Sequence, residues 1–403
     1  MKRHMNRALF SLFLILILIL ICPTPGFGSS TDILIEKNGT VMSWTDARID
    51  NNLVATYVST NSPPAIRVYF TNGTFYKSIP LTNEKSGLES LEIADGRVYY
   101  AESGDPETVY QYNLATSEKQ VIYTTEGPQQ KVTKIVASGN HVVLRGGTDD
   151  QKLILHTLST SFNQIIFTSR DWILDVDIDG DRIVWGCNRV DGEPGREIHV
   201  YTISTGKDYT IPESKSVKTY GYGDISGDNV VWVMSAKDPD YINGVPVTVE
   251  SYDMKLTNIV SDKTQSVEQS DTAPMTVPFI SGDTIAWVKK PNVDYNNSDT
   301  GTIRTYNIKT GALIDFAANV DGISDFDNDV VLWSRLKPVS FWVTPISGKI
   351  PEVTTSTLSQ TTPQVPTTVQ KPTTSQKSPV DPIMIISAIA AGAVGYTSLK
   401  KKH

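Results

Sequence analysis

The sequence predicts an all-β fold, a seven-bladed β-propeller. Two strand motifs, each recurring along the chain, and a middle region poor in Leu and Ala but rich in aromatic and β-branched residues lead to this reading. The composition suits strands rather than helices. Units of roughly 40–50 residues with strand and turn signals but no helical period match four-stranded blades.

The first motif is an apolar stretch, a Gly-containing tight turn and an apolar–aromatic strand. Its clearest copies are Ile178–Trp185 (IDGDRIVW), Ile225–Trp232 (ISGDNVVW) and Ile280–Trp287 (ISGDTIAW). Weaker copies are Ala94–Tyr100, Ala137–Leu144 and Phe326–Trp333, and a degenerate first copy reads at Lys37–Trp44. In the last blade Asn328 stands where the others have Gly; Asn tolerates a left-handed backbone, so the turn survives. The Gly-equivalent positions 39, 96, 139, 180, 227, 282 and 328 are spaced by 57, 43, 41, 47, 55 and 46 residues.

The second motif is a strand ending in a polar turn. It is clearest at Ile198–Gly206 (IHVYTISTG) and Ile303–Gly311 (IRTYNIKTG), with further copies at Val109–Ser117 and Leu153–Ser161. Each unit then runs from a short inner strand through the Gly turn to the aromatic strand, the Tyr strand and an outer strand. Blades pack face to face, so middle strands are covered on both sides, and Ile183-Val184-Trp185 is apolar throughout instead of alternating. A pair of β-sandwiches would also give short strands, but not seven copies of one motif. The segment Ile33-Leu34-Ile35 is expected to close the ring by completing the last blade, whose own outer strand is weak around Pro351.

The ends carry a different message. Residues 1–29 read as a signal peptide: Lys2, Arg3 and Arg7, an apolar run from Leu9 to Ile21, then small and helix-breaking residues. The propeller is expected over 30–352. Residues 353–381 are dominated by Thr, Ser, Pro, Gln and Val, with no aromatic residue. Such a segment cannot bury enough surface to offset its chain entropy and reads as an O-glycosylated stalk. Residues 382–399 are uncharged and mostly apolar, and 400–403 is a basic tail, together a short transmembrane anchor with its positive flank inside. The propeller would then face outward. The net charge of -8 becomes -14 once the six basic residues at the two ends are set aside. An acidic ectodomain excludes nucleic acid as a partner, since phosphate binding needs a basic face. Cys22 lies in the apolar run, so Cys187 is left without a disulfide partner and reads as a small buried residue.

The paired signature I-S-G-D-x-[IV]-V-W and I-x-x-Y-x-I-x-T-G resembles the TolB-like propeller repeats of archaeal cell-surface proteins. The resemblance spans roughly residues 31–352 and is strongest from Asp175 to Gly311. It implies a fold and a location at the cell surface, and little chemistry. After the aromatic strand those repeats often carry an acidic residue or Asn before Arg; only Asn188-Arg189 and Thr45–Arg48 come close here.

No G-x-S-x-G, H-E-x-x-H or phosphate-binding Gly loop is present. His156 and His199 occupy different positions of the second motif, which would put them on opposite strand faces in different blades and rule out a shared zinc. Three residues before the turn, on the inner strands that line the channel, stand Glu36, Asp177, Asp224 and Asp325, with Ile93, Val136 and Phe279 in the other blades. Convergent carboxylates would suit a hard cation such as calcium; the alternative is a solvated acidic rim. Asn38, Asn72 and Asn296 each begin an N-glycosylation sequon. The function expected is a non-catalytic, membrane-anchored surface module, for binding an extracellular or envelope protein or glycan or for building the envelope. The alternative is an extracellular polysaccharide hydrolase or lyase using carboxylates at the channel mouth.

Overall fold

A computed structural model describes residues 32–347, apart from 38–46, 60–63, 83–86, 128–129, 148–149, 194, 217–218, 236–239, 243–244, 248–251, 271–275, 291–299 and 337–338. The expected signal peptide, stalk, anchor and tail, and sequon residues Asn38 and Asn296, lie outside these residues. No helix among them is long and apolar enough to cross a membrane.

Seven four-stranded antiparallel sheets follow one another. Blade 1 spans 47–80, blade 2 88–124, blade 3 132–169, blade 4 173–210, blade 5 219–270, blade 6 279–320 and blade 7 322–345. Each inner strand touches the inner strand of the next blade, and that of blade 7 touches blade 1, so the ring is closed. The fourth strand of blade 7 is the N-terminal segment Ile33–Lys37, antiparallel to Val339–Pro345 with Ile33 opposite Val343 and Glu36 opposite Phe341. Closure by the N-terminal segment is as expected. Blade 5 is lengthened by a small hairpin, Asp240–Ile242 with Val245–Val247, inserted between its second and third strands.

The core is seven separate apolar layers, one between each pair of adjacent blades. The second strands are buried on both faces and carry the largest side chains: Trp185, Trp232, Trp287 and Trp333 are all less than 2% exposed. In blades 5 and 7 the indole also finds a partner, Trp232 Nε1 donating to Thr257 Oγ1 at 3.0 Å and Trp333 Nε1 to Thr344 Oγ1 at 2.8 Å.

Two-residue turns join inner and second strands, and their first residues are Asn51, Asp95, Gly139, Gly180, Gly227, Gly282 and Asn328, with φ between 45° and 58°. A positive φ at the first residue is what the primed hairpin turns demand: in blades 2 and 7 the second residue, Gly96 or Asp329, is left-handed as well, as in type I′, whereas in the other five blades only the first is, as in type II′. Two expected turns are thereby corrected. In blade 2 the first turn residue is Asp95 and Gly96 is the second, also left-handed. In blade 1 the turn is Asn51-Asn52, because Asp50 pairs with Leu53; Gly39 lies outside the described residues. The long first spacing disappears, since 51 to 95 is 44 residues.

Candidate functional site: the acidic channel mouth

The last residues of the inner strands converge on one mouth of the channel, a cavity of about 200 Å³. It is lined by seven carboxyl groups, those of Asp50, Glu92, Asp177, Asp179, Asp224, Asp325 and Asp327. Period-two alternation along each inner strand generates two rings. Counted back from the corrected turns, the deeper ring is Arg48, Glu92, Val136, Asp177, Asp224, Phe279 and Asp325. The outer ring is Asp50, Ala94, Ser138, Asp179, Ser226, Ser281 and Asp327.

Three of the four acids expected here are therefore together: Asp177, Asp224 and Asp325. Glu36 is not. It sits on the outermost strand of blade 7, buried, where it accepts hydrogen bonds from Tyr69 Oη and from Arg67 Nη1. The cause is the misplaced first turn, which put Glu36 on an inner strand. The same slip by one residue hid Glu92, which occupies the channel position of blade 2 in place of Ile93. Arg48 takes the position in blade 1 and pairs with Glu92 at 3.4 Å. The cue was present in the sequence: Asn and Asp, like Gly, can hold the first position of a left-handed turn.

The rings do a specific job. An inner strand has one edge unpaired within its own sheet, and its N–H groups there need acceptors. The preceding blade supplies them. In the outer ring, Ser138 Oγ accepts from Gly180 N at 3.0 Å, Asp179 from Gly227 N at 2.6 Å, Ser226 from Gly282 N at 3.0 Å, Ser281 from Asn328 N at 3.0 Å and Asp327 from Asn51 N at 2.5 Å. Asp50 accepts from the backbone of Asp95. Where blade 2 has Ala94, the neighbouring Asp95 side chain takes over and accepts from Gly139 N at 2.8 Å. The deeper ring repeats the device: Asp177 accepts from Ile225 N at 3.2 Å, Asp224 from Ile280 N at 2.6 Å, and Asp325 from Ile49 N at 2.9 Å. The Ser or Asp before six of the seven turns is thus a clasp between blades, and Asp325 and Asp327 clasp the last blade to the first.

Crowding so many acids into a closed mouth costs charge. Burial, then the charge of Asp177 and a hydrogen bond to it, push the Asp224 carboxyl well above the ordinary range. The shift favours the protonated form of Asp224 beside Asp177. Burial likewise raises Asp325 and Asp327. Glu92 is pushed up to about 8 by burial, against the pull of Arg48, and Asp50 to about 7 by burial and the nearby Asp327. The mouth is therefore a mixture of carboxyl donors and carboxylate acceptors near neutral pH. One mouth-facing proton shared between two acids is what like charges in a small space enforce.

The two His residues lie in different blades, as expected, but not on opposite faces. His156 stands opposite Val142 and His199 opposite Trp185, and each faces the blade before its own. His156 Nδ1 bonds Asn163 Oδ1 at 2.7 Å. Asn72 is exposed in a tight turn, its Oδ1 accepting from Thr74 N.

No described protein family and no curated protein matches the chain. Solved structures do. The tricorn protease aligns over 78% of this chain and 34% of its own, at 14% identity and TM-score 0.58, so this chain spans about a third of that enzyme. An oligogalacturonate lyase in complex with manganese aligns over 73% of this chain and 86% of its own, at 12% identity and TM-score 0.53. An oligogalacturonate lyase from Vibrio parahaemolyticus aligns over 80% and 94%, at 12% identity and TM-score 0.54. These likenesses show the propeller fold and nothing finer. TolB from Acinetobacter baumannii aligns over 66% of this chain and 63% of its own at 14% identity and TM-score 0.42.

Proposed function

We propose that the chain is a non-catalytic β-propeller displayed outside the cell, a binding or envelope-structural module of the TolB-like, archaeal surface type. In this reading 1–29 is removed on export, 353–381 is the stalk, 382–399 holds the protein in the membrane, and the partner is an extracellular or envelope protein or a glycan. The observation that carries it is the employment of the channel acids. Glycosidases use two carboxyl groups about 5–10 Å apart that exchange protons with the substrate. Here the Asp177 and Asp224 carboxyl groups act on each other strongly enough to raise Asp224, and both hold the neighbouring blade by its backbone. Acids bound into the frame in this way are poorly placed to act on a sugar. The mixture of donors and acceptors at the mouth suits hydroxyl-rich or amide groups instead. The exposed Asn72 and the sequons at Asn38 and Asn296 fit a glycosylated surface protein.

Calcium at Asp177, Asp224 and Asp325 is the competing use of the same mouth. Purified protein incubated with cell envelopes, with and without calcium, separates the readings. Saturable retention without calcium is the expected result. Retention that needs calcium would assign the mouth to a cation. Release of sugar from the envelopes without retention would replace this reading by the hydrolase or lyase.

A further inference from the structure

A second cluster of reactive side chains lies far from the turn ends, between blades 3 and 4. In blade 4, strands Arg182–Asn188 and Arg196–Thr202 pair so that Trp185 faces His199 and Cys187 faces Glu197. Alternate residues share a face, so all four side chains point toward blade 3. Cys187 Sγ, a Glu197 carboxylate oxygen and a ring nitrogen of His199 lie within 4.8 Å of one another. Cys187 and Glu197 are 0% exposed and His199 is 2% exposed. We propose that Cys187, Glu197 and His199 form a buried site for one zinc(II)-type ion, which ties the two middle strands of blade 4 together.

The donor set is one thiolate, one carboxylate and one imidazole, the ligand types zinc takes. The thiolate disfavours magnesium and calcium, which prefer oxygen. The imidazole is oriented for it. Nδ1 lies 2.9 Å from Asp208 Oδ2, which turns Nε2 toward Glu197 Oε1 at 3.2 Å. A carboxylate behind a ligating His, fixing its tautomer, is the usual outer partner of a metal-bound imidazole. The walls are apolar and aromatic: the Trp185 ring stacks on His199 with centroids 5.1 Å apart, and Phe167 lies 5.7 Å away.

The Glu197 carboxylate is held in place from both sides: Oε1 receives Val190 N at 2.9 Å and faces the His199 ring, while Oε2 makes no hydrogen bond and pairs with Lys215 Nζ at 3.5 Å, so a metal would share the carboxylate with that ammonium. Burial keeps the ion from any substrate, and the three protein donors leave the fourth tetrahedral position to a water. Without metal, burial opposes charge on His199, yet its hydrogen bonds to Asp208 and Cys187 outweigh that and hold it up at about 10. The metal-free alternative is thus an imidazolium clamped between two carboxylates.

The test uses the full chain, stripped with a chelator and then titrated with zinc and with cobalt(II). The expected result is one equivalent of zinc, a rise in unfolding temperature, and a thiolate-to-cobalt charge-transfer band. Cys187→Ser should abolish the band and the bound equivalent, while Cys22→Ala should keep both. Asp208→Asn should weaken zinc binding about 10–100-fold. Circular dichroism confirms that each variant is folded; if Cys187→Ser does not fold, Glu197→Gln is read in its place. No stoichiometric uptake by the stripped wild-type protein, or uptake unchanged in Cys187→Ser, would overturn the site and leave the imidazolium clamp.

Discussion

A chain that begins at residue 38, and so lacks Ile33–Lys37, is expected to lose ring closure and most of its stability. That segment is the outermost strand of blade 7, and it is the only strand of its blade that comes from the other end of the chain. It buries Ile35 and Glu36, and Ile33 packs on the same layer as Val343 and Phe341. Losing one buried Ile costs about 2–5 kcal/mol, and each ladder hydrogen bond adds about 0.5–1.5 kcal/mol. Total stabilities of single domains are about 5–15 kcal/mol, so the loss takes a large share. It also bares the edge of Val339–Pro345, which invites strand pairing between copies. Chemical unfolding and light scattering check both effects, and a peptide covering 32–37 should restore part of the stability. A chain starting at residue 38 that unfolds at the same denaturant concentration as the full protein would refute closure by this strand.

The second large effect is expected at Trp232. Its side chain is 0% exposed in the layer between blades 4 and 5, packed with Val184, Ile198 and Val200. Trp232→Ala removes the ring and orphans Thr257 Oγ1 as the acceptor of the indole N–H; Thr257 is itself buried, although Thr264 Oγ1 lies 2.9 Å away and partly compensates. Large-to-small changes of this kind cost about 3–5 kcal/mol. Trp232→Phe keeps most of the packing and should cost clearly less. Equilibrium unfolding in urea reads the difference. Equal midpoints for Trp232→Ala and wild type would mean that the blade interfaces do not carry the stability.

Much of this architecture was legible in the sequence because propellers repeat their local rules. The fully apolar run Ile183–Trp185 announced a strand covered on both faces, and Ile33–Ile35 announced the closing strand. The misreadings share one physical origin. A primed hairpin turn needs a positive φ at its first residue, which Asp95 or Asn51 holds in place of Gly; in the type I′ turn of blade 2 the second residue is left-handed too, and Gly96 sits there. Aligning on Gly therefore slid blade 2 by one residue and blade 1 by a whole segment, which hid Glu92 and Arg48 and moved Glu36 into a channel it does not line. The Ser or Asp before six of the seven turns was visible, but its partner is a backbone N–H of the next blade, which no local pattern reports. The Cys187–Glu197–His199 cluster escaped for a related reason. Its members come together only through the register of two strands, which no local pattern reports.

The channel acids form a partly protonated frame that holds the blades together. The measurement that tests it most directly is unfolding free energy against pH for the wild type and Asp224→Asn. A carboxyl whose folded value is raised binds protons more tightly when folded. Its stabilising contribution is full below its unfolded value near 4 and is lost as pH climbs through the folded value. Glu92, at about 8, and Asp50, at about 7, place that loss between pH 5 and 8, with Asp224 acting in the same direction. Glu107, at about 7, tilts the curve the same way, so the comparison with the variant isolates the channel. The lowered carboxyls of Glu89 and Asp315 act only in more acid solution. Asn at 224 copies the protonated acid, accepting from Ile280 N and donating to Asp177. Wild-type stability is expected to fall from pH 5 to 8, and the variant to be flatter by up to about 1.4 kcal/mol per pH unit and at least as stable at pH 8. A variant markedly less stable than wild type at pH 8, with wild-type stability rising across that window, would mean that Asp224 works as an anion, and the frame would give way to a cation site.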